Sequence, residues 1–160
     1  LDAFAPIAED AVRAAAQDIA LERALRAAKE EWVAERVSFA DLRVQARAVT
    51  VAGERKLKGS VPALIAIIED LAVHPELALK AIGALIAIGD ERAVGPLIES
   101  ARQRPALYLG QIVFGVARIG GKEAEAYLFT MANGHPDPSV RQNAKDALSE
   151  LSRRGHLREE

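Results

Sequence analysis

The chain has 160 residues, a formal net charge of −2 and no cysteine; half of it is hydrophobic but only 4% is aromatic. That length suffices for one domain with a buried core, and the neutral balance excludes an overtly nucleic-acid-binding or membrane-surface protein. The missing thiols exclude a disulfide framework, a zinc–thiolate site and a cysteine nucleophile.

Residues 6–35 read as one long helix. Pro6 suits a first turn, with Glu9 and Asp10 near the positive end of the helix dipole. Ile7, Ala11, Ala14, Leu21, Leu25, Ala28 and Trp32 recur at spacings of three and four, interrupted by Asp18. At about 30 residues this helix is long and admits one break. Ser38 and Asp41 then resemble a capping box. The stretch after them carries two patterns. Leu42, Val44, Ala46 and Ala48 alternate like a strand, whereas Arg43, Arg47, Thr50 and Glu54 form a polar stripe at helical spacing. A lone strand leaves backbone groups unpaired, so the reading is a helix over 39–52 ended by Gly53.

Downstream, Ser60 caps a helix over 61–72 with Pro62 in its first turn. His74-Pro75 turns into a helix over 76–88, ended by Gly89. Asp90 caps 91–101, and Arg104-Pro105 leads into 106–119, ended by Gly120. A helix over 122–132 follows, and Asp137-Pro138 opens another that runs to about 152. The polar segment 153–160 reads as a frayed tail.

These helices repeat with a period of about 30 residues and two helices per period. Ile88-Gly89 aligns with Ile119-Gly120, Ala93 with Ala124, Leu97 with Leu128, and Ala84-Leu85 with Ala147-Leu148. His74-Pro75 and His135-Pro136 fall in equivalent turns, and Val61-Pro62-Ala63-Leu64-Ile65 parallels Val94-Gly95-Pro96-Leu97-Ile98. The first helices offer Leu64, Ile65, Ile67, Ile68, Leu97, Ile98, Leu128 and Phe129 as interior. Gly83, Ala84, Ala87, Gly115 and Ala117 let the second helices approach closely.

The stretch Gly89-Asp90-Glu91-Arg92-Ala93-Val94-Gly95-Pro96-Leu97-Ile98 resembles the junction of HEAT-like repeats, of the short bacterial kind named after phycobilisome lyases. Asp137-Pro138-Ser139-Val140-Arg141, with Ala144 and Ala147-Leu148, is similar to the second-helix start of that repeat. The resemblance covers about residues 38–152. Two departures are visible: the third unit has Pro105-Ala106-Leu107-Tyr108 in place of the Val-Arg pair, and the first unit has an insertion around Leu57-Lys58-Gly59. The resemblance implies an all-α solenoid in one domain, 1–160. It has an N-terminal helix and first unit over 6–52 and three further pairs over 60–152. The four antiparallel pairs are 6–35 with 39–52, 61–72 with 76–88, 91–101 with 106–119, and 122–132 with 138–152.

Catalytic constellations are scarce. His74 and His135 sit in turns and His156 in the tail, without the spaced partners a metal site needs, so they read as exposed turn residues. Some HEAT-repeat proteins are di-iron hydroxylases built on His-Glu dipeptides, and no such dipeptide occurs here. The acidic neighbours Glu30-Glu31, Glu69-Asp70 and Glu159-Glu160 cannot face each other on a helix and read as solvated faces. Gly120-Gly121 and Gly115 lack the spacing of a phosphate loop. A HEAT-like DNA glycosylase would need a basic, aromatic concave face, which one tryptophan and a neutral chain do not offer.

The resemblance also implies a concave surface, lined by second helices, that binds partners. Arg43, Arg47, Lys80, Gln111, Arg118, Arg141 and Lys145 lie on those helices and suggest a mildly basic ridge suited to an acidic protein surface. Glu69, Asp70, Glu99, Glu123 and Glu125 lie on the first helices; an ordinary solvated coat is the competing reading of both sets. Tyr108 and Phe114 read first as core residues, with an interface role as the alternative. The long first helix is either a docking or dimerising element or a cap on the solenoid's end.

The expected function is thus a non-enzymatic interaction module or scaffold, without cofactor or metal, that binds another protein rather than nucleic acid. The alternatives are a bilin-lyase-type chromophore attachment or removal factor, implied by the resemblance, and a structural segment of a larger assembly. No run approaches ~18 apolar residues and no signal peptide opens the chain, so the expected location is cytoplasmic.

Overall fold

The computed structural model describes residues 5–156, with side chains from Val12 to Arg154. The regular elements among them are all helical: α1 (Ala5–Ala27), α2 (Glu30–Val37), α3 (Leu42–Glu54), α4 (Val61–Glu69), α5 (Pro75–Ile88), α6 (Val94–Gln103), α7 (Leu109–Ile119), α8 (Lys122–Gly134) and α9 (Pro138–His156). Short 3-10 turns at Lys58–Ser60, Glu91–Ala93 and Ala106–Tyr108 lead into α4, α6 and α7. The expectations for the side chains of Pro6, Ile7, Glu9, Asp10, Ala11 and His156, and for residues 157–160, lie outside the described residues.

The long N-terminal helix divides. Lys29 is extended (φ −64°, ψ 154°) and starts α2. Arg55 holds the break: its guanidinium donates to the carbonyls of Leu25 at 3.0 Å and Ala28 at 2.7 Å, which a continuous helix would use internally. The two pieces have different roles. α2 packs on α3, whereas α1 contacts α3 from elsewhere. Asp18, Glu22 and Arg26 meet Arg43, Arg47 and Glu54 in that order, so α1 runs parallel to α3. The expected pair of 6–35 with 39–52 is therefore replaced by α2 with α3, and α1 is an extra helix beside them.

The remaining contacts follow chain order. α4 packs on α5, α6 on α7 and α8 on α9; α3 also touches α5, α5 touches α7, and α7 touches α9. α4 touches α2 and α6, and α6 touches α8. Buried Leu25, Val49, Leu64, Ile82, Leu85, Leu97 and Ile112 belong to one apolar cluster, and Val113, Ala117, Leu128, Ala132, Ala144 and Ala147 to a second. Tyr127 and Leu151 pack against both.

Several local expectations change. Asp41, not Ser38, caps α3, accepting from the Arg43 amide at 2.9 Å and the Val44 amide at 3.3 Å. Gly53 does not end that helix. It lies inside α3 because a Cβ there would stand 2.9 Å from the Ala84 Cα of α5. The stop comes from Lys56, at φ 54°. Its amide donates to Gly53 and the Leu57 amide to Ala52, a Schellman closure with Leu57 buried beneath it. Ser60 makes no capping bond, and its hydroxyl is buried without a partner. α4 stops at Glu69, where Asp70 turns extended. Gly89 closes α5 in the left-handed conformation, but Gly120 (φ 87°, ψ −161°) and Gly121 (φ 92°, ψ 166°) form an extended glycine-only link. Residues 153–156 continue α9 instead of fraying.

Two arginines tie successive pairs together. Arg104, just past α6, donates to the Ile68 and Asp70 carbonyls at the end of α4 at 3.0 and 2.9 Å. Arg154, on α9, donates to the Ala117 and Arg118 carbonyls at the end of α7. Cations here satisfy orphan carbonyls and complement the negative helix end.

Candidate functional site

The seven residues expected on the ridge separate into three groups. Arg43 and Arg47 are engaged by α1. Arg43 bonds Asp18 at 2.7 Å, and Arg47 bonds Glu22 at 2.6 Å with Asp18 at 3.4 Å. The Arg43 hydrogen bond is the main cause that holds the Asp18 carboxyl below its usual range. Glu22 is lowered first by its bond to Arg26, with Arg47 adding to it. Both cations are thus paired with carboxylates of α1.

Lys80 and Arg141 form the second group. Lys80 lies 3.8 Å from Glu76 one turn away. Arg141 donates to the carbonyls of His135 at 2.7 Å and Pro136 at 2.9 Å, so it braces the α8–α9 turn.

Gln111, Arg118 and Lys145 are exposed and make no side-chain ion pair among the described residues. Arg118 lines a cleft of about 490 Å³ between α7 and α9. Phe114, Ala117 and Ala147 line it as well, together with Asp146, Glu150, Arg153 and Arg154. Arg153 is tied to Glu150 at 2.5 Å. The cleft is thus of mixed charge, with Arg118 its unpaired cation among the described residues.

Phe114 is 51% exposed, which overturns its reading as core. Ile112, Val113, Val116 and Ala117 take the inward face of α7 and leave Phe114 on the outer stripe with Gly110 and Arg118. Tyr108 is buried as expected, with the Arg104 guanidinium 5.7 Å from its ring centre. Phe129, expected inside, is 61% exposed, because Ala124, Leu128 and Ala132 occupy the inner stripe of α8.

The turn histidines prove to be local acceptors. His74 Nδ1 accepts the Glu76 amide at 3.3 Å, and His135 Nδ1 accepts the Asp137 amide at 3.1 Å. Sequence spacing hid this role, since an imidazole cap two residues before an amide has no common signature. Glu30 is also more than a solvated face: its carboxylate accepts the Gly59 amide and ties α2 to the turn before α4. Among the described residues no three His, Asp or Glu side chains are gathered as a metal site would require. No helix among them is long and apolar enough to cross a membrane. The chain matches no known family model and no curated protein sequence.

Proposed function

We propose that this chain is a non-catalytic protein-binding module of the HEAT-like α-solenoid kind, and that its partner binds on the second-helix face at the α7–α9 cleft. Contacts that follow chain order support the solenoid reading, since each pair buries its apolar face against its neighbours. The observation that carries the binding site is Phe114, a half-exposed aromatic beside the unpaired Arg118. Aromatic and arginine side chains together are the common anchors of protein interfaces. The partner chemistry that fits is an apolar side chain flanked by a carboxylate.

A photo-crosslinking residue placed at position 114, in cells that make this protein, should yield one dominant adduct that is absent when it is placed at position 99 on α6. Arg118→Glu should remove the adduct. With the partner in hand, Phe114→Ala should weaken binding by about 2 kcal/mol, roughly thirtyfold. Equal labelling from positions 114 and 99 would discard this site.

A further inference from the structure

The break between α1 and α2 falls where the local sequence gives no reason for one. No glycine or proline occurs from residue 7 to residue 52, and the bend itself reads Arg26-Ala27-Ala28-Lys29-Glu30-Glu31. All six are strong helix formers. The bend is instead imposed by groups from far along the chain. In a continuous helix the Leu25 carbonyl would accept the Lys29 amide, and the Ala28 carbonyl the Trp32 amide. Both carbonyls accept from the Arg55 guanidinium instead, at 3.0 and 2.7 Å. On the other side of the bend, the Glu30 carboxylate accepts the Gly59 amide. A helical preference overruled by distant contacts marks a strained or functional segment.

The alternative to the bend follows from the helix directions. The Gln45 side chain, early in α3, donates to the Val37 carbonyl at the end of α2 at 2.9 Å. The start of α2 meets Gly59, just past α3, so α2 is antiparallel to α3. α1 is parallel to α3 and therefore antiparallel to α2. Straightening 28–29 would make one helix over 5–37, about 50 Å long at 1.5 Å per residue. It would also carry α1 away from α3, the helix it chiefly touches. The uncovered face of α3 would present Arg43, Arg47 and Glu54 beside the seat of the fully buried Leu25. One segment is known to complement that face in charge, register and shape: Asp18, Glu22, Leu25 and Arg26 of an α1.

We propose that two copies of this chain form a dimer by exchanging α1, with 28–29 as the hinge and Arg55 as the latch that keeps the monomer closed. Each α1 lies on the α3 of the other copy. The three ion pairs and the Leu25 seat are kept between copies, and the straightened hinge regains the backbone hydrogen bonds that Arg55 replaces. The exchange is reciprocal about a twofold axis, so the assembly closes at two copies. It is independent of the α7–α9 cleft.

Size-exclusion chromatography with light scattering, after incubation at about 500 μM, reads the exchange as a monomer–dimer equilibrium. Arg55→Ala should tighten dimerisation at least about tenfold by releasing the latch. Arg55→Gln should act in the same direction and serves where Arg55→Ala does not fold. Lys29→Pro should leave only monomer, because the ring fits the φ of −64° at the bend and cannot enter the interior of a straight helix. The chain has no cysteine, so the contact itself can be mapped. Asp18→Cys and Arg43→Cys copies, mixed in the Arg55→Ala or Arg55→Gln background and treated with a short bismaleimide, should give a covalent heterodimer. Replacing the Asp18→Cys copy by a Glu99→Cys copy should give none. Folded latch variants that stay monomeric, a Lys29→Pro protein that dimerises as well as the unaltered chain, or a dimer that lacks the 18–43 link would overturn the proposal.

Discussion

Gly53 shows how one residue can mean opposite things along a chain and in space. After an apolar run it looks like a terminator, yet it sits in mid-helix where α3 and α5 come closest. Gly110, also helical, has nothing within 4 Å of its notional Cβ. The two sites separate packing from propensity. Gly53→Ala should destabilise the protein by about 1–3 kcal/mol, because the extra methyl meets backbone that cannot swing aside. Gly110→Ala should stabilise it by about 0.5 kcal/mol through helix propensity alone. Urea titrations of both variants, read at 222 nm, check the signs. Phe114 teaches the same lesson in reverse. Its size argues for the interior, but the 3.6-residue period leaves one outer stripe on α7, and Phe114 falls on it.

Helix ends were read best where a short acid precedes the helix. Asp90 was legible as a cap, and it accepts the Arg92 amide at 3.0 Å and the Arg92 guanidinium at 2.9 Å. The hydrogen bond from the Arg92 side chain is the leading cause that lowers its carboxyl from 3.8 to about 2. The folded state therefore binds fewer protons than the unfolded chain between these values. Asp90 stabilises the fold fully above about pH 4, and this contribution, about 1 kcal/mol for a pair whose arginine is exposed, is lost as pH falls through about 2. Asp90→Asn keeps a capping oxygen but removes the charge. Its thermal midpoint should fall less steeply between pH 4 and 2 than that of the unaltered protein. A parallel acid limb in both would show that the Asp90–Arg92 pair contributes nothing. Ser60 shows where the cap rule fails: a 3-10 turn precedes α4, so the hydroxyl points into the packed junction rather than at the first amides.

Across the whole molecule, stability should be uneven. α1 touches the rest mainly through α3. Its holdfasts include the exposed pairs Asp18–Arg43, Glu22–Arg47 and Arg26–Glu54, the fully buried Leu25 and the Arg55 bond to the Leu25 carbonyl. Val12 and Ile19 remain exposed on it. Exposed ion pairs are weak and are screened by salt, so α1 should open before the core does. Hydrogen exchange should be faster in α1 than in α5 and α7, faster still in the Asp18→Asn, Glu22→Gln double variant, and accelerated by 1 M salt. Exchange of α1 at the rate of α5 in every case would show that it opens only with the whole fold.

The sequence by itself determined that the chain is helical, where most helices lie, and which turns separate them. Those features are local: proline and glycine positions, capping acids and a 3.6-residue period act within a few residues of themselves. Only the tertiary structure decided that the first helix breaks, that α1 lies parallel to α3, and that Arg43 and Arg47 are neutralised by it. The arginine clamps at Arg55, Arg104 and Arg154 also belong to that level. Each depends on a carbonyl or carboxylate some 25 to 37 residues away, a distance over which no periodic pattern says which polar groups will meet. A row of cations can be read along a chain, but whether a cation is unpaired depends on what the fold lays beside it.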